Sequence, residues 1–342
     1  MNRKTVLILG IALLLVGFSG FLLTSKKEEQ GISITQQYSA PSNIANSASF
    51  EDNSIVYSNS HELVEYSLAT GETHNLSANV GLNNIDTVSV SPNSNYIVFH
   101  DPQVAPNDAL STQLQAMGFD QDAVTGYWWL YNVQANTFKA LPPSVLLAKV
   151  DNNNLYTLSG SAGSEAITTY SASTLQQHSA LSISGSSNFF AVNGGFLLQS
   201  PNNDVLFTKN GVVSQELYKS SIVVGVSNDG HSVAMVTTQG DTKLLNVANL
   251  SNNKIITVAD DVFGAPVWQQ SGAVLYNTTV GNLYEYTLAT NKNDQWELNS
   301  SVKIYPPNIT LNVLAGPTAA IVSNQQNDTY LVGAGLSNVP AL

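Results

Sequence analysis

The residues best suited to recognition lie in and next to one stretch of the chain, residues 101–126. This stretch contains several carboxylates and no lysine or arginine, so any mouth that it borders should be negative. Two large aromatic residues follow it, and aromatic faces bury much area for little loss of side-chain freedom. Loops on rigid scaffolds often carry function. We predict a binding surface on an exposed loop, made of Asp101, Asp108, Asp120, Asp122, Tyr127 and Trp128.

The same carboxylates could in principle hold a metal ion. Asp120 and Asp122 could supply oxygen ligands to Ca²⁺, which takes six to eight of them. The further acidic positions and the glycine of a calcium-binding loop are missing, and Asp260 with Asp261 is equally incomplete. Solvated loop carboxylates therefore explain these residues better, and we predict neither a metal nor a cofactor.

Catalytic patterns are weak throughout the chain. His100 beside Asp101 is the one place where a His–Asp pair could face a central mouth and act as a general base, although an ordinary loop histidine has the same pattern. The chain has no cysteine, no G-x-S-x-G turn and no paired-histidine metal motif. The sequence thus assigns no catalytic residue.

A repeat indicates what positions these side chains. The first apolar residue of a recurring hairpin recurs at intervals of 41, 59, 41, 37, 41 and 46 residues, and a period near 40 built from short strands is typical of β-propeller blades. One such sheet must stack against neighbours around a ring to bury both its faces. The marker residues are Ile55, Tyr96, Leu155, Phe196, Val233, Val274 and Ala320. They predict an all-β fold, a β-propeller of seven blades.

Residues 47–342 hold the predicted ring, and the insertion at 101–126 causes the one long step. Within that insertion, Asn107 can cap a helix that runs from Asp108 to Met117. The seventh blade is the least regular. We expect a strand from residues 32–39 to complete it, because a closed ring leaves no exposed edge.

The chain begins with a basic flank and a long apolar run. Arg3 and Lys4 precede residues 5–25, which carry no charge and are long enough to cross a bilayer. We predict one N-terminal transmembrane helix within residues 1–27, a tether at 28–46 and a ring on the extracytoplasmic side. A cleaved signal peptide remains the alternative.

Charge excludes one class of partner. Residues 1–30 hold four basic and two acidic side chains, so without them the formal net charge falls from −12 to −14, and no arginine follows Arg3. Acidic surfaces repel phosphate backbones, and bidentate phosphate contacts need arginine. Nucleic-acid binding is therefore excluded.

Two segments resemble the WD-like repeat of TolB-type propellers. Residues 88–99 read Val-Ser-Val-Ser-Pro-Asn-Ser-Asn-Tyr-Ile-Val-Phe, and residues 265–276 read Ala-Pro-Val-Trp-Gln-Gln-Ser-Gly-Ala-Val-Leu-Tyr. The resemblance implies a ring of six or seven blades, with Trp268 packed between blades, and leaves the function open. Asn93 stands where the family usually has an aspartate, so that only Asp229 keeps the family pattern.

These observations favour a membrane-anchored, extracytoplasmic scaffold that binds a protein or an envelope polymer. A second hypothesis is a propeller enzyme that acts on a glycan or peptide at the central mouth, near His100. A third is a pilin-like assembly subunit that packs through residues 6–23. Leu15 stands where such a segment usually carries a glutamate, which argues against the third hypothesis.

Overall fold

All regular secondary structure in the described part of the chain is β-strand. The computed structural model describes residues 31–336 apart from 41–46, 51–53, 60, 79, 81, 83–84, 103–126, 161–163, 184, 187, 210–211, 270–271, 317–318 and 335. Within these residues there is no helix, and the strands form seven sheets. Each sheet is built on a meander of antiparallel strands, and we call each sheet a blade and number the blades in chain order.

Two short strands precede the first blade, β1 (Ile32–Ile34) and β2 (Gln36–Ser39). Blade one contains β3 (Ser47–Phe50), β4 (Ser54–Asn59), β5 (Glu62–Ser67) and β6 (Thr73–Asn75). Blade two contains β7 (Thr87–Val90), β8 (Tyr96–Asp101), β9 (Tyr127–Asn132) and β10 (Thr137–Ala140). Blade three contains β11 (Val145–Val150), β12 (Asn154–Ser159), β13 (Glu165–Ser171) and β14 (Gln177–Ile183).

Blade four contains β15 (Asn188–Val192), β16 (Gly195–Gln199), β17 (Val205–Lys209) and β18 (Val212–Tyr218). Blade five contains β19 (Ser221–Val226), β20 (Ser232–Gln239), β21 (Thr242–Asn249) and β22 (Lys254–Ala259). Blade six contains β23 (Val262–Gln269), β24 (Ala273–Thr278), β25 (Leu283–Thr287) and β26 (Lys292–Leu298). Blade seven contains β27 (Ile309–Gly316), β28 (Ala319–Asn324) and β29 (Thr329–Gly333).

The sequence period is confirmed as the blade period. Each of the seven marker residues lies in the second strand of a different blade, from Ile55 in β4 to Ala320 in β28. The fold is therefore a seven-bladed β-propeller, the architecture that the resemblance to TolB-type repeats implied.

Alternation along each strand explains why the blades stack. In β4, Ile55 and Tyr57 pack against blade seven, whereas Val56 between them packs against blade two. Side chains alternate across a strand, so an uninterrupted apolar strand has two faces to bury. Seven apolar clusters result, one between each pair of neighbouring blades.

The start of the described chain closes the ring. Strand β2 pairs antiparallel with β29 and becomes the fourth strand of blade seven. Strand β1 pairs parallel with β26 and adds a fifth strand to blade six. Ile34 is fully buried in the cluster between these two blades. The predicted closing segment thus forms two strands that serve two blades.

Two predicted elements fall on parts of the chain that are not described. The apolar run at residues 5–25 and the insertion helix both lie outside the described residues. Among the residues that are described, no helix is long and apolar enough to span a membrane.

Trp268 packs between blades five and six, as the resemblance implied, but it remains half-buried. Its ring lies against Gly225 in β19, where an added Cβ atom would come within 2.1 Å of the Trp268 Cδ2 atom. Glycine is therefore required at this position by close approach of the indole.

Gly225→Ala should consequently destabilise the protein by about 1–3 kcal/mol, the usual cost of overpacking a tight interface. The matched control is the same substitution in a Trp268→Ala background, where the clash is absent and the added methyl group should cost much less. Urea unfolding of the four proteins measures both values. An equal cost in the two backgrounds would show that the indole does not determine this glycine.

Candidate functional site

A cavity of about 600 Å³ opens at one end of the central channel. Residues from blades two to six line it, which places it on the ring axis rather than within one blade. Volumes of this size are typical of ligand sites. The lining side chains that matter for chemistry are Lys149, Asp151, Tyr156, Phe190, Asp229 and Trp268.

The innermost strands deliver these residues to the cavity. Strands β11, β15 and β19 all run toward this end of the channel, and the turns that follow them form its rim. Two of these turns need glycine, since Gly194 has φ 84° and Gly230 has φ 68°. The Asn-Gly and Asp-Gly pairs in the sequence therefore build the rim of the site.

Asp229 uses its carboxylate to hold one of these turns. Its Oδ1 accepts hydrogen bonds from Ser227 Oγ at 2.6 Å and from the backbone N–H two residues further on at 2.9 Å. The hydrogen bond from Ser227 is the main reason why the pKa of Asp229 is lowered. In blade two, Asn93 Oδ1 accepts the equivalent pair of bonds, at 2.8 Å and 3.1 Å. The amide replaces the carboxylate, so this position is structural in both blades.

Asp151 has a similar role in the turn after β11. Its Oδ1 accepts from the backbone N–H groups of Asn153 and Asn154, and its Oδ2 accepts from the Tyr156 hydroxyl at 2.5 Å. Burial, followed by the hydrogen bond to Asp151, raises the pKa of Tyr156 well above its usual value. The Tyr156 hydroxyl therefore keeps its proton at neutral pH and donates it in the hydrogen bond to Asp151.

Lys149 differs from the acids because its partners carry no negative charge. Its Nζ atom donates to the backbone carbonyl of Phe189 at 2.6 Å and lies 3.6 Å from the centre of the Phe190 ring. None of the ion pairs among the described residues includes it. Lys149 is partly buried at the cavity wall, and desolvation lowers its pKa from 10.5 to about 7.

The binding residues predicted from the sequence lie at the opposite end of blade two. Asp101 pairs with Tyr127 where β8 and β9 meet the insertion, while the cavity adjoins the other end of β7. Asp101 is fully buried, and Tyr127 and Trp128 are only 3% and 5% exposed. Asp108, Asp120 and Asp122 lie outside the described residues.

The expectation that Tyr127 and Trp128 face solvent is therefore wrong. Both belong to β9, which neighbours cover on both faces. Tyr127 packs in the cluster shared with blade one, and Trp128 packs in the cluster shared with blade three. The strand begins at the first aromatic residue after the insertion, so neither side chain is left on the loop.

The histidine that the sequence placed near a mouth has a different partner from the one expected. His100 Nδ1 is 2.9 Å from Asp86 Oδ1, and its ring centre is 5.1 Å from that of Trp128. His100 does not line the cavity. Within the part of the chain that the structure describes, no group of three metal-ligating side chains comes together.

Sequence reasoning missed Lys149 as a site residue, although a signal was present. It is the one charged residue in the strand Val-Leu-Leu-Ala-Lys-Val, and lysine is seldom tolerated in an apolar strand without a reason. Phe190 carried no such signal, because only the curvature of the ring brings blade four against Lys149.

Comparison with solved structures supports the fold alone. The β-propeller domain of the trilobed protease from Pyrococcus furiosus matches with a TM-score of 0.58 and 10% identity, over 87% of this chain and 96% of that one. Uncomplexed acylaminoacyl peptidase from Pyrococcus horikoshii matches with a TM-score of 0.57 and 9% identity, over 91% of this chain and 52% of that one. The chain thus spans about half the length of that peptidase.

TolB from Acinetobacter baumannii also matches, with 10% identity over 82% of this chain and 62% of that one, but its TM-score of 0.43 is too low to support any argument. No protein-family model and no curated protein matches the chain. The comparisons therefore identify a propeller and do not indicate what it binds.

The environment of Lys149 predicts a specific pH dependence of stability. Between pH 7 and about 10.5 the unfolded chain binds more protons at this residue than the folded chain, so this residue's contribution to stability should rise with pH over that range. The free energy of unfolding of the natural protein relative to Lys149→Met should therefore increase from pH 6.5 to 9.5. Urea unfolding at several pH values measures it. A constant difference would mean that the pKa of Lys149 is not lowered in the folded protein.

Proposed function

We propose that this propeller binds a partner at the cavity on its channel axis and has a scaffold or adaptor role rather than a catalytic one. The observation that carries the proposal is the cavity itself, which brings side chains from five blades together around Lys149 and several aromatic rings. Rigid strands position all of these groups, which favours recognition without rearrangement.

The partner class proposed from the sequence is a protein or an envelope polymer. A cavity of about 600 Å³ is too small for a folded domain, so an extended segment of the partner would enter it. The polar rim turns and the aromatic walls suit a segment that combines backbone polarity with apolar side chains.

The insertion face is proposed as a second contact surface. The residues Asp101, Asp108, Asp120, Asp122, Tyr127 and Trp128 adjoin or belong to the insertion, and the burial of Asp101, Tyr127 and Trp128 gives these three a supporting role for the loop. In this proposal the contacts themselves would come from residues 103–126.

Site-specific photo-crosslinking in the native host distinguishes the two surfaces. A photoreactive phenylalanine analogue at Asn228, on the exposed cavity rim, should give a discrete crosslinked product that mass spectrometry can identify. The matched position is Val280, which is 76% exposed on the insertion-side face. A product from Val280 alone would place binding on that face, and no product from either position would contradict a binding role.

We further propose that residues 5–25 anchor the chain in a membrane, with the ring on the extracytoplasmic side. This rests on the length of the apolar run and on the basic residues before it. Protease added to intact cells should release a fragment that starts beyond Lys27, and the remaining protein should resist extraction with carbonate. Recovery of a soluble protein shortened at its N-terminus would show a cleaved signal instead.

A further inference from the structure

We propose that the cavity binds the C-terminus of a peptide whose last side chain is apolar, with the terminal carboxylate on Lys149. This inference rests on the proposed binding function and names the chemistry of the segment that enters. In this proposal, Lys149 determines the preference for a free C-terminal carboxylate.

The position of Lys149 suits an incoming anion. The ammonium group has three N–H donors, and one of them is used by the Phe189 carbonyl at 2.6 Å. Phe190 covers another side of the group at 3.6 Å, and the side chain contributes to the cavity wall. A carboxylate entering from the channel would accept hydrogen bonds from the ammonium group, in the place that water would otherwise occupy.

The acidic residues of the cavity do not compete for this cation. Asp151 accepts four hydrogen bonds in and next to its own turn, from two backbone N–H groups, the Asn154 side-chain amide and the Tyr156 hydroxyl. Asp229 accepts from Ser227 and a backbone N–H group. Neither carboxylate is within ion-pair distance of Lys149 among the described contacts. Their negative charges repel a doubly charged phosphate more strongly than a singly charged carboxylate.

The remaining walls suit an apolar side chain next to that carboxylate. Phe190 and Trp268 present aromatic surface, with Val192 beside Phe190 at the cluster between blades four and five and Val224 beside Trp268 at the cluster between blades five and six. The indole of Trp268 is held in place by its contact with Gly225. A terminal phenylalanine or leucine side chain fits this combination of aromatic and aliphatic surface.

The proposal predicts that binding depends on pH, because Lys149 must be protonated to bind a carboxylate. The titratable groups that face Lys149 around the cavity are Asp151 and Tyr156 from blade three and Asp229 from blade five. Desolvation holds the pKa of Lys149 near 7, and a bound carboxylate would raise it. Binding should therefore take up a proton and weaken about fivefold between pH 7 and pH 8, as the protonated fraction of a group with this pKa falls.

Calorimetry on the purified full chain tests the inference with two matched probes. N-acetyl-Gly-Phe with a free carboxylate should bind, and the same dipeptide with a C-terminal amide should bind at least tenfold more weakly. Lys149→Met should abolish the difference between the two probes, and Lys149→Arg should retain part of it. If Lys149→Met does not fold, the comparison of the acid with the amide and its pH dependence still decide the question.

The outcomes separate this inference from the proposed function. Equal binding of the acid and the amide, or no weakening above pH 7, would overturn the carboxylate site even if a partner crosslinks at Asn228. Preferential binding of a glucuronate disaccharide over the dipeptide acid would also overturn it, because the ligand would then be a polymer carboxylate. Tight, Lys149-dependent binding of the acid without any crosslinked partner would support the site and contradict the proposed protein-binding role.

Discussion

The fold depends on one constraint, which is that every blade has two apolar faces and can bury them only between two other blades. Strand alternation sends neighbouring residues such as Ile55 and Val56 into different clusters, and each cluster is shared by two blades. Burying a side chain of this size contributes roughly 1.5–3 kcal/mol. No blade can therefore be stable alone, and the ring must close to leave no apolar face exposed.

Closure of the ring requires strands from both ends of the described chain to pair with each other. Blade seven has three strands from the end of the chain and takes its fourth from Gln36–Ser39, so that its outer strand is supplied from the other end. The adjoining strand β1 then pairs with β26 and places Ile34 between blades six and seven. Since residues distant in sequence complete the same sheet, separation of the ends would require loss of β pairing and of a buried cluster together.

The same ring geometry creates the cavity. Innermost strands that converge on an axis cannot fill it at every level, and the space left at the end of β11, β15 and β19 brings Lys149 against Phe190 of the next blade. The turns at this end are held by Asp229 and Asp151, whose oxygens bond within their own turns. Asp151 and Asp229 thus have a structural role, and Lys149, which the sequence did not single out, belongs to none of the ion pairs among the described residues.

The sequence by itself determined the architecture, because each repeat of about 40 residues encodes one blade through its own strand alternation, and the number of repeats gives the number of blades. It predicted the blade number from residues such as Ile55 and Val274, and the resemblance to TolB-type repeats implied the packing position of Trp268. It could not determine the site. The burial of Tyr127 and Trp128 depends on where β9 begins and on two neighbouring blades, and the pairing of His100 with Asp86 depends on the register of β7 against β8. The environment of Lys149 arises only when blades three and four meet, since no pattern along one strand records what the next blade places opposite it.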